Sequence, residues 1–357
     1  MCASILEDDK SAQRNTIQKQ ISEILSDYEL APPEGMNSAH VGRWVGQFEV
    51  RDQLFILEQT LALLRNAYIS RNDYVKKIDD ILNSEKNRHI FSRAAFLKIQ
   101  EANRGTSQSD LLELIQTQAE TFGELNIATI SRFSTSRRVS QFDEFIYFDD
   151  ICFSGNKALK DIIWFAEHFN LRDVTIRVFF LGTHRYATYM LKKNLEKRFE
   201  GRNITLIIRE DGFLKTRENR VRYSSSSEVF WLRKNGINLP DWISNPEIYT
   251  PRETSERTHF RPNEIFLNRV DRYRFEYALT KAGFYILQQS QNPAQFLKPL
   301  GFSTFPGLGF GGTIFTYRNC PNNTPLAFWW GRYEHDAIPN KALDCWYPLM
   351  RRIGYNQ

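Results

Sequence analysis

The sequence contains few of the residues that define several specialised protein classes. Its 357 residues include 18 glycines and 13 prolines, which is too little for a collagen-like or low-complexity chain. The four cysteines lie far apart, at Cys2, Cys152, Cys320 and Cys345, and form no Cys-x-x-Cys pair. This spacing argues against a zinc site and a disulfide framework, and it favours a reducing, cytoplasmic setting.

Long hydrophobic runs are also missing. The longest apolar stretches, such as Phe145–Phe148 and Val178–Leu181, have the length of a strand, whereas a membrane-spanning helix needs about 20 apolar residues. The first ten residues turn acidic early, and no hydrophobic signal-peptide core follows them. We therefore expect a protein with no secretion signal and no membrane span.

Neither sign of charge is in large excess. The chain has 47 Lys and Arg residues against 42 Asp and Glu residues, a formal net charge of +5, and 41% of its residues are hydrophobic. That apolar fraction is enough for a large core and excludes a disordered chain. The charge is compatible with an anionic partner but does not require one.

Hydrophobic spacing divides the chain into three predicted parts. Residues 1–90 form a helical region, in which Trp44 and Phe48 lie one helical turn apart as either a core stripe or a partner-binding stripe. Residues 91–214 alternate strands and helices, which predicts βαβ units and a parallel sheet. Residues 215–357 form an α+β extension and a candidate cap over a site at the carboxyl ends of the strands.

Two details of this division are specific enough to test. The predicted strands cover residues 94–99, 127–130, 145–148, 174–181 and 204–208. A basic cluster then follows at Lys215, Arg217, Arg220 and Arg222, with Ser224–Ser227 behind it. We expect this segment to be a loop that is either solvated or in contact with phosphate or nucleic acid.

The most informative segment runs from Phe145 to Lys157. A buried strand leads to two adjacent carboxylates, Asp149 and Asp150, and then to a Ser-Gly turn and a helix. Free N–H groups in a first helical turn, a hydroxyl and a glycine that allows close approach form a phosphate cradle. The acids suit sugar hydroxyls or a Mg²⁺ ion that bridges them to a phosphorylated ligand. Alternatively, they only cap the next helix.

This segment resembles the phosphoribosyltransferase superfamily, whose signature is four apolar residues, two acids, a few mostly apolar residues and Thr-Gly. The resemblance implies a parallel, Rossmann-like α/β core and a site for phosphoribosyl pyrophosphate with Mg²⁺. It implies that Asp149 and Asp150 address the ribose diol as catalytic and metal-associated residues. The 5′-phosphate is assigned to Ser154, which keeps the hydroxyl of the family's Thr, and to Gly155, Asn156 and Lys157.

The sequence departs from this signature at two positions. Phe153 occupies the place where purine-salvage members carry a general-base Asp, and Lys157 replaces a second Thr. The resemblance therefore does not extend to nucleobase salvage.

The wider chain is similar to phosphoribosyltransferase-like proteins of bacterial conflict systems, which accompany retrons and other anti-phage modules. The shared elements are Trp44-Val-Gly-Gln-Phe48, the acid and Ser-Gly loop, and Pro321-Asn-Asn-Thr-Pro325. The resemblance also implies a pyrophosphate loop after the first strand, formed here by Arg104, Gly105, Thr106 and Ser107.

Three further side chains are site candidates with a structural alternative. His184 follows a predicted strand, where it is either a catalytic group above the sheet or a structural histidine. Asn322 and Asn323 either contact a base or sugar as part of a cap, or form an Asx-type turn.

These observations leave more than one function open. The first is a Mg²⁺-dependent effector of an anti-phage system that transfers or cleaves at ribose C1, where positioning and electrostatics supply most of the catalysis. The second is a non-catalytic nucleotide sensor, which the change at Phe153 favours. The third is a nucleic-acid-binding subunit of a defence complex, for example beside a reverse transcriptase, that uses the segment from Lys215 to Arg222.

Overall fold

A computed structural model describes residues 2–100, 107–121, 127–209, 214–231, 261–290, 294, 296–304, 307–333 and 341–352. The chain forms two compact units. Unit 1 combines Met1–Arg71 with Glu218–Gln357, and unit 2 is Asn72–Arg217. Unit 2 is therefore inserted into the chain of unit 1. The three consecutive parts expected from the sequence, with boundaries after residues 90 and 214, stay a prediction.

The elements follow one another in this order. The first segment of unit 1 contains α1 (Cys2–Ile24), α2 (Ser38–Val45), α3 (Val50–Ala67) and β1 (Tyr68–Ile69). Unit 2 contains α4 (Arg71–Asn83, beginning at the boundary), α5 (Glu85–Phe91), β2 (Ala95–Lys98), α6 (Ser107–Thr121), β3 (Ala128–Ser131), α7 (Ser136–Val139), β4 (Glu144–Cys152), α8 (Asn156–His168), β5 (Val174–His184), α9 (Arg185–Arg198), β6 (Ile204–Arg209) and β7 (Lys215–Arg217). The second segment of unit 1 contains a 3₁₀ helix (Val221–Ser226), α10 (Arg269–Gln289), β8 (Phe315–Thr316), α11 (Leu326–Trp329) and α12 (Lys341–Asp344).

Unit 2 is built on a parallel sheet in the order β3-β2-β4-β5-β6, with β7 paired to β5. Phe96 of β2 lies opposite Thr129 on one side and Ile146 on the other. The predicted α/β fold with a parallel sheet is confirmed, and each predicted strand is present with small shifts at its ends. The strand order changes direction between β2 and β4, which is where open α/β sheets bind their ligands, beyond the carboxyl ends of the strands.

The strands of this sheet are apolar because helices cover them. Residues Phe145–Phe148 of β4 are buried without interruption, and α8 presents Ala158, Ile162 and Phe165 at helical spacing to the same core. Packing on α8 thus fixes the start of that helix directly behind the carboxyl end of β4.

The prediction of a loop at the basic cluster is wrong at its first residues. Lys215–Arg217 form β7, which pairs with Gly182–His184, the part of β5 beyond the last residue paired with β6. Arg217 is buried as a result. Arg220 donates to both carboxylate oxygens of Glu218. Much of the positive charge in this cluster is therefore buried or paired with a carboxylate.

Unit 1 joins the two ends of the chain through an aromatic cluster. The Trp44 indole stacks on Phe328 with ring centroids 5.8 Å apart and donates its Nε1–H to the carbonyl of Ala327 at 2.7 Å. Phe48 packs edge-on against Trp346. Gln47 donates to the carbonyl of Tyr347 and accepts its N–H. Of the two interpretations of Trp44 and Phe48, this packing supports the core stripe.

No helix in the described part of the chain combines the length and the apolar character needed to cross a bilayer.

The packing of Trp44 predicts a stability difference between two substitutions. Trp44→Ala removes a fully buried indole and is expected to lower the free energy of unfolding by about 3–5 kcal/mol. Trp44→Phe keeps an aromatic ring but loses the hydrogen bond to Ala327, so we expect a smaller loss. Urea unfolding followed by circular dichroism measures both. Equal stability of the alanine variant and the unmodified protein would contradict the core assignment, and Val50→Ala, at an exposed position, is the control.

Candidate functional site

The turn between β4 and α8 has a backbone that only glycine accommodates well. Gly155 precedes the first helical residue with φ of +75°. A Cβ at this position would lie 3.1 Å from the carbonyl oxygen of Ala187 and 3.3 Å from the Cβ of Leu191. The glycine therefore provides both the left-handed conformation and the close approach of α8 to α9.

The first turn of α8 presents its amide groups at this glycine. The N–H groups at the start of a helix have no acceptor inside the helix. Ser154 Oγ lies 3.4 Å from the amide nitrogen of Asn156, and Leu159 donates to the carbonyl of Gly155. The hydroxyl and the amides of the first turn therefore lie at the carboxyl edge of the sheet. Together with the positive end of the helix dipole, such groups are suited to binding an anion.

The two adjacent acids are in different environments. Asp149 is only 4% exposed. Its Oδ2 accepts the Gln100 amide at 2.8 Å and faces the Tyr147 hydroxyl at 3.3 Å, while Oδ1 accepts the N–H of Asp150 at 3.0 Å. Asp150 is half-buried, and its Oδ1 accepts the N–H of Ile151. Asp149 is consequently held inside the fold, and Asp150 is the acid more open to a ligand.

Lys157 connects the buried acid to the helix start. Its Nζ lies 4.0 Å from Asp149 Oδ2, and its side chain is 54% exposed. The ammonium group is therefore near the amides of the first turn while remaining accessible to solvent. Such a position suits a cation that contacts both a protein carboxylate and a bound phosphate.

A second buried carboxylate lies behind the first. Asp161 of α8 accepts the Tyr147 hydroxyl at 3.0 Å, and its other oxygen is 3.9 Å from the Arg132 guanidinium. Burial raises the pKa of Asp161 to about 6, against the opposing effects of the Tyr147 hydrogen bond and the Lys157 charge. The same guanidinium donates to the carbonyl of Ile99 and lies over the Trp164 ring. Polar contacts therefore run from β3 through α8 to Asp149.

The other side of the loop is apolar. Phe153 packs on the imidazole of His184, with ring centroids 4.9 Å apart. His184 is fully buried, and burial, reinforced by the charge of Arg217, lowers its pKa to about 3. Burial also raises the pKa of the Cys152 thiol to about 12, so the thiol stays protonated and is a poor nucleophile. These contacts support the structural interpretation of His184.

The candidate pyrophosphate loop falls largely outside the described residues, because Arg104, Gly105 and Thr106 are not among them. Ser107 is the first residue of α6. The residues on either side of this loop contact each other, since the Gln108 side chain accepts the N–H groups of Ile99 and Gln100 at 3.0 Å and 3.2 Å. Gln100, the last described residue before the loop, lies just past the carboxyl end of β2, which neighbours β4. Its role stays a prediction.

The candidate cap residues belong to unit 1. The Asn323 amide donates to the carbonyl of Phe302 at 2.9 Å, and the carbonyl of Asn322 accepts the N–H of Phe302. Thr324 closes a turn by donating to the carbonyl of Pro321. These bonds support the turn interpretation of this segment. A cap contact from Asn322 or Asn323 stays a prediction.

Sequence reasoning missed the side chains that surround Asp149, namely Gln100, Tyr147, Asp161 and Arg132. Two of them left a detectable signal. Tyr147 lies two residues before Asp149 in a strand, so both side chains share a face. Asp161 is a charged residue on the otherwise apolar stripe of α8. Gln100 and Arg132 gave no local signal, since their partners lie far away in sequence.

Comparison with protein families identifies the family of the chain. The profile of the PRTase-CE family matches residues 41–352, and the chain belongs to that family, which is phosphoribosyltransferase-like. The match spans the sheet of unit 2 and most of unit 1, including the Trp44 and Pro321 segments. The expected resemblance to phosphoribosyltransferases is confirmed at this level. A search of curated proteins found no match.

The buried Asp161 predicts an unusual dependence of stability on pH. Its pKa is higher in the folded protein than in the unfolded chain, so the stability it contributes is present below about pH 4 and is lost as the pH rises through about 6. In Asp161→Asn there is no such proton to lose. Relative to the unmodified protein, the variant should therefore become more stable as the pH rises from 4 to 7.

Urea unfolding at the two pH values measures this change. Asp143→Asn, at an exposed acid, is the matched control and should show a constant difference. A stability difference for Asp161→Asn that is the same at pH 4 and pH 7 would contradict the prediction.

Proposed function

We propose that the protein binds phosphoribosyl pyrophosphate, or a related nucleotide, with its 5′-phosphate at residues 154–157, and transfers or cleaves at ribose C1. The observation that carries this proposal is the turn at Gly155. It combines a left-handed glycine, a Ser hydroxyl and the amides of a 13-residue helix at the carboxyl end of β4. This turn follows the strand beside the switch in strand order, where phosphorylated ligands bind in α/β sheets. Membership of a phosphoribosyltransferase-like family supports the same ligand class.

The acids next to this turn fit a divalent cation that arrives with its substrate. Mg²⁺ is commonly bound by one or two carboxylates together with substrate phosphates. Among the described residues, no group of three or more His, Cys, Asp or Glu side chains is arranged to hold a metal alone. Asp150, which is half-buried, would contribute the accessible carboxylate, while Asp149 is already held by Gln100. Bound there, Mg²⁺ would neutralise negative charge on the departing pyrophosphate.

The protein groups would act mainly by positioning and by electrostatics. The amides at residues 156–158 and the Lys157 ammonium hold the 5′-phosphate, and Asp150 accepts hydrogen bonds from the ribose hydroxyls. As the C1–O bond breaks, pyrophosphate leaves with the bonding electron pair and positive charge develops on the ribose ring. The negative charges of the acids beside the ring stabilise this positive charge, and an acceptor or water forms the new bond to C1. This chemistry needs no protein nucleophile, in keeping with the buried, protonated Cys152.

The phosphate assignment predicts which lysine of α8 matters. Lys157→Ala removes a charged donor at the helix start and should weaken binding of phosphoribosyl pyrophosphate in MgCl₂ about tenfold or more, since a hydrogen bond to a charged group contributes about 1.5–3 kcal/mol. Lys160→Ala, at an exposed position one turn along the same helix, is the matched control and should bind normally. Isothermal titration calorimetry measures both. Equal affinity of the two variants would contradict the assignment.

Asp150→Asn is the better test of the acids. We expect it to lose affinity for the magnesium complex while retaining the melting temperature of the unmodified protein. Asp149→Asn would place an amide against the Gln100 donor and the N–H of Asp150, so it combines a site effect with a loss of stability.

A non-catalytic nucleotide sensor is the second candidate. The contact between Phe153 and the buried His184 favours it, because an apolar ring occupies the position where salvage enzymes of the superfamily carry a general base. The two candidates differ in turnover. With phosphoribosyl pyrophosphate and MgCl₂, an enzyme releases pyrophosphate, and Asp150→Asn abolishes the release. A sensor shows saturable binding with no release above the rate measured without protein.

We further propose that this activity or sensing serves an anti-phage defence system. The support is the resemblance of three segments, at Trp44, Ser154 and Pro321, to proteins of bacterial conflict systems. Two of these segments are structural in the fold, since Trp44 and the Pro321 turn stabilise unit 1. The proposed phosphate contacts come from the third segment, so the proposed defence role depends on the chemistry at Ser154.

A further inference from the structure

The most exposed large hydrophobic side chain among the described residues is Phe133, at 91% exposure. It lies in the turn formed by residues 131–138, called the Phe133 turn below, directly after the edge strand β3. An apolar ring in water contributes little to the stability of the fold, since burial of such a side chain is worth roughly 1.5–3 kcal/mol. The ring is therefore accessible to a ligand.

Hydrogen bonds hold the backbone of the Phe133 turn in place. Ser131 donates its N–H to the Ser134 hydroxyl at 3.0 Å and accepts the N–H of Ser134 at its carbonyl at 3.1 Å. The N–H of Phe133 points to the Ser131 hydroxyl at 3.3 Å. Thr135 then caps α7 by accepting the N–H of Arg138. These bonds fix the backbone on both sides of the ring.

Several residues near Phe133 in the chain are positively charged. Residues 131–141 contain three arginines, Arg132, Arg137 and Arg138, and no acidic residue. Arg132 is held over Trp164 with its guanidinium 4.3 Å from the ring centroid. Arg137 and Arg138 are exposed. In the described part of the chain neither forms an ion pair with a carboxylate, and the guanidinium of Arg138 donates to the carbonyl of Thr129. Their charge is therefore available to an anionic partner.

The place of β3 in the sheet shows at which edge the Phe133 turn lies. β3 is parallel to β2 and β4, so the Phe133 turn lies at the same carboxyl edge of the sheet as the turn at Gly155. A polymer bound at the Phe133 turn would thus lie along the edge that carries the candidate phosphate site.

We propose that the Phe133 turn binds single-stranded nucleic acid, with a base stacked on the Phe133 ring and the backbone phosphates on Arg137 and Arg138. Exposed aromatic rings among cations bind single strands because every unpaired base offers a face for stacking. A duplex hides those faces. A protein partner would require a larger apolar patch, whereas the neighbours of Phe133 in the chain are serine, threonine and arginine. This surface is separate from the basic cluster at Lys215, much of which is buried or paired.

Fluorescence anisotropy with a labelled 20-nucleotide single strand tests the proposal, using DNA and RNA of one sequence and the matching DNA duplex. We expect the unmodified protein to bind a single strand, DNA or RNA, more tightly than the duplex. Phe133→Ser should weaken single-strand binding about fivefold or more, since stacking on an aromatic side chain contributes about 1–3 kcal/mol per base. Arg137→Glu should weaken it at low salt and reduce the dependence of affinity on salt concentration.

Lys197→Glu is the matched charge reversal. Lys197 is exposed in the last turn of α9, which precedes the amino end of β6, so it lies at the opposite edge of the sheet. We expect it to leave the affinity within about twofold. All three positions are exposed, so the variants should keep the melting temperature of the unmodified protein, and they should bind phosphoribosyl pyrophosphate as it does. The proposal for the ribose-phosphate site and the proposal for the Phe133 turn can therefore be contradicted separately.

Three results would overturn the proposal. The first is the absence of binding to either single strand at 50 mM salt. The second is equal affinity for Phe133→Ser and the unmodified protein. The third is a Phe133-dependent association with anionic lipid vesicles, or with a second copy of the chain, in the absence of single-strand binding.

Discussion

The carboxylate of Asp149 is buried, and side chains from several elements at the carboxyl edge of the sheet make contact with it. A buried charge requires donors, because its hydration is lost and must be replaced. Gln100, just past the end of β2, and Tyr147 of β4 donate hydrogen bonds to the Asp149 carboxylate, and the Lys157 ammonium group of α8 lies 4.0 Å away. These contacts bring the end of β2, β4 and α8 together at the switch in strand order. They act together with the packing of α8 on the core and against α9, which also holds the turn at Gly155.

The same arrangement distributes roles between two acids that look equivalent in the sequence. Asp149 is buried in the protein interior, and Asp150 is half-buried. A second acid, Asp161, shares the Tyr147 hydroxyl with Asp149. A hydroxyl has one proton to donate, so only one of the two carboxylates receives it at a time. Tyr147 thus links the charge on α8 to the charge beside the site.

The sequence predicted most of what is local and little of what is distant. The segment from Phe145 to Lys157 combines a strand, acids, a Ser-Gly turn and a helix in thirteen consecutive residues. They appear in the expected order, although β4 continues through both acids to Cys152 instead of ending before them. Gln100 lies 49 residues from Asp149, so their pairing leaves no local pattern. β7 was missed for a similar reason. Lys215–Arg217 become a strand only because β5 continues beyond the end of β6 and offers an unpaired edge. The aromatic spacing of Trp44 and Phe48 could not by itself distinguish a core from an interface.

The interleaved order of the two units has a consequence for synthesis. The bond from Trp44 to Ala327 joins residues 283 positions apart, and all of unit 2 is made between them. At about 5–20 residues per second, Trp44 leaves the ribosome roughly 15–60 s before its partner exists. During that interval unit 2 has all of its residues and can fold, while the apolar faces of α2 and α3 have no partner from the C-terminal segment. The nascent chain is thus most exposed to aggregation and to chaperone capture through its first 71 residues, and a premature stop late in translation would leave them in that state.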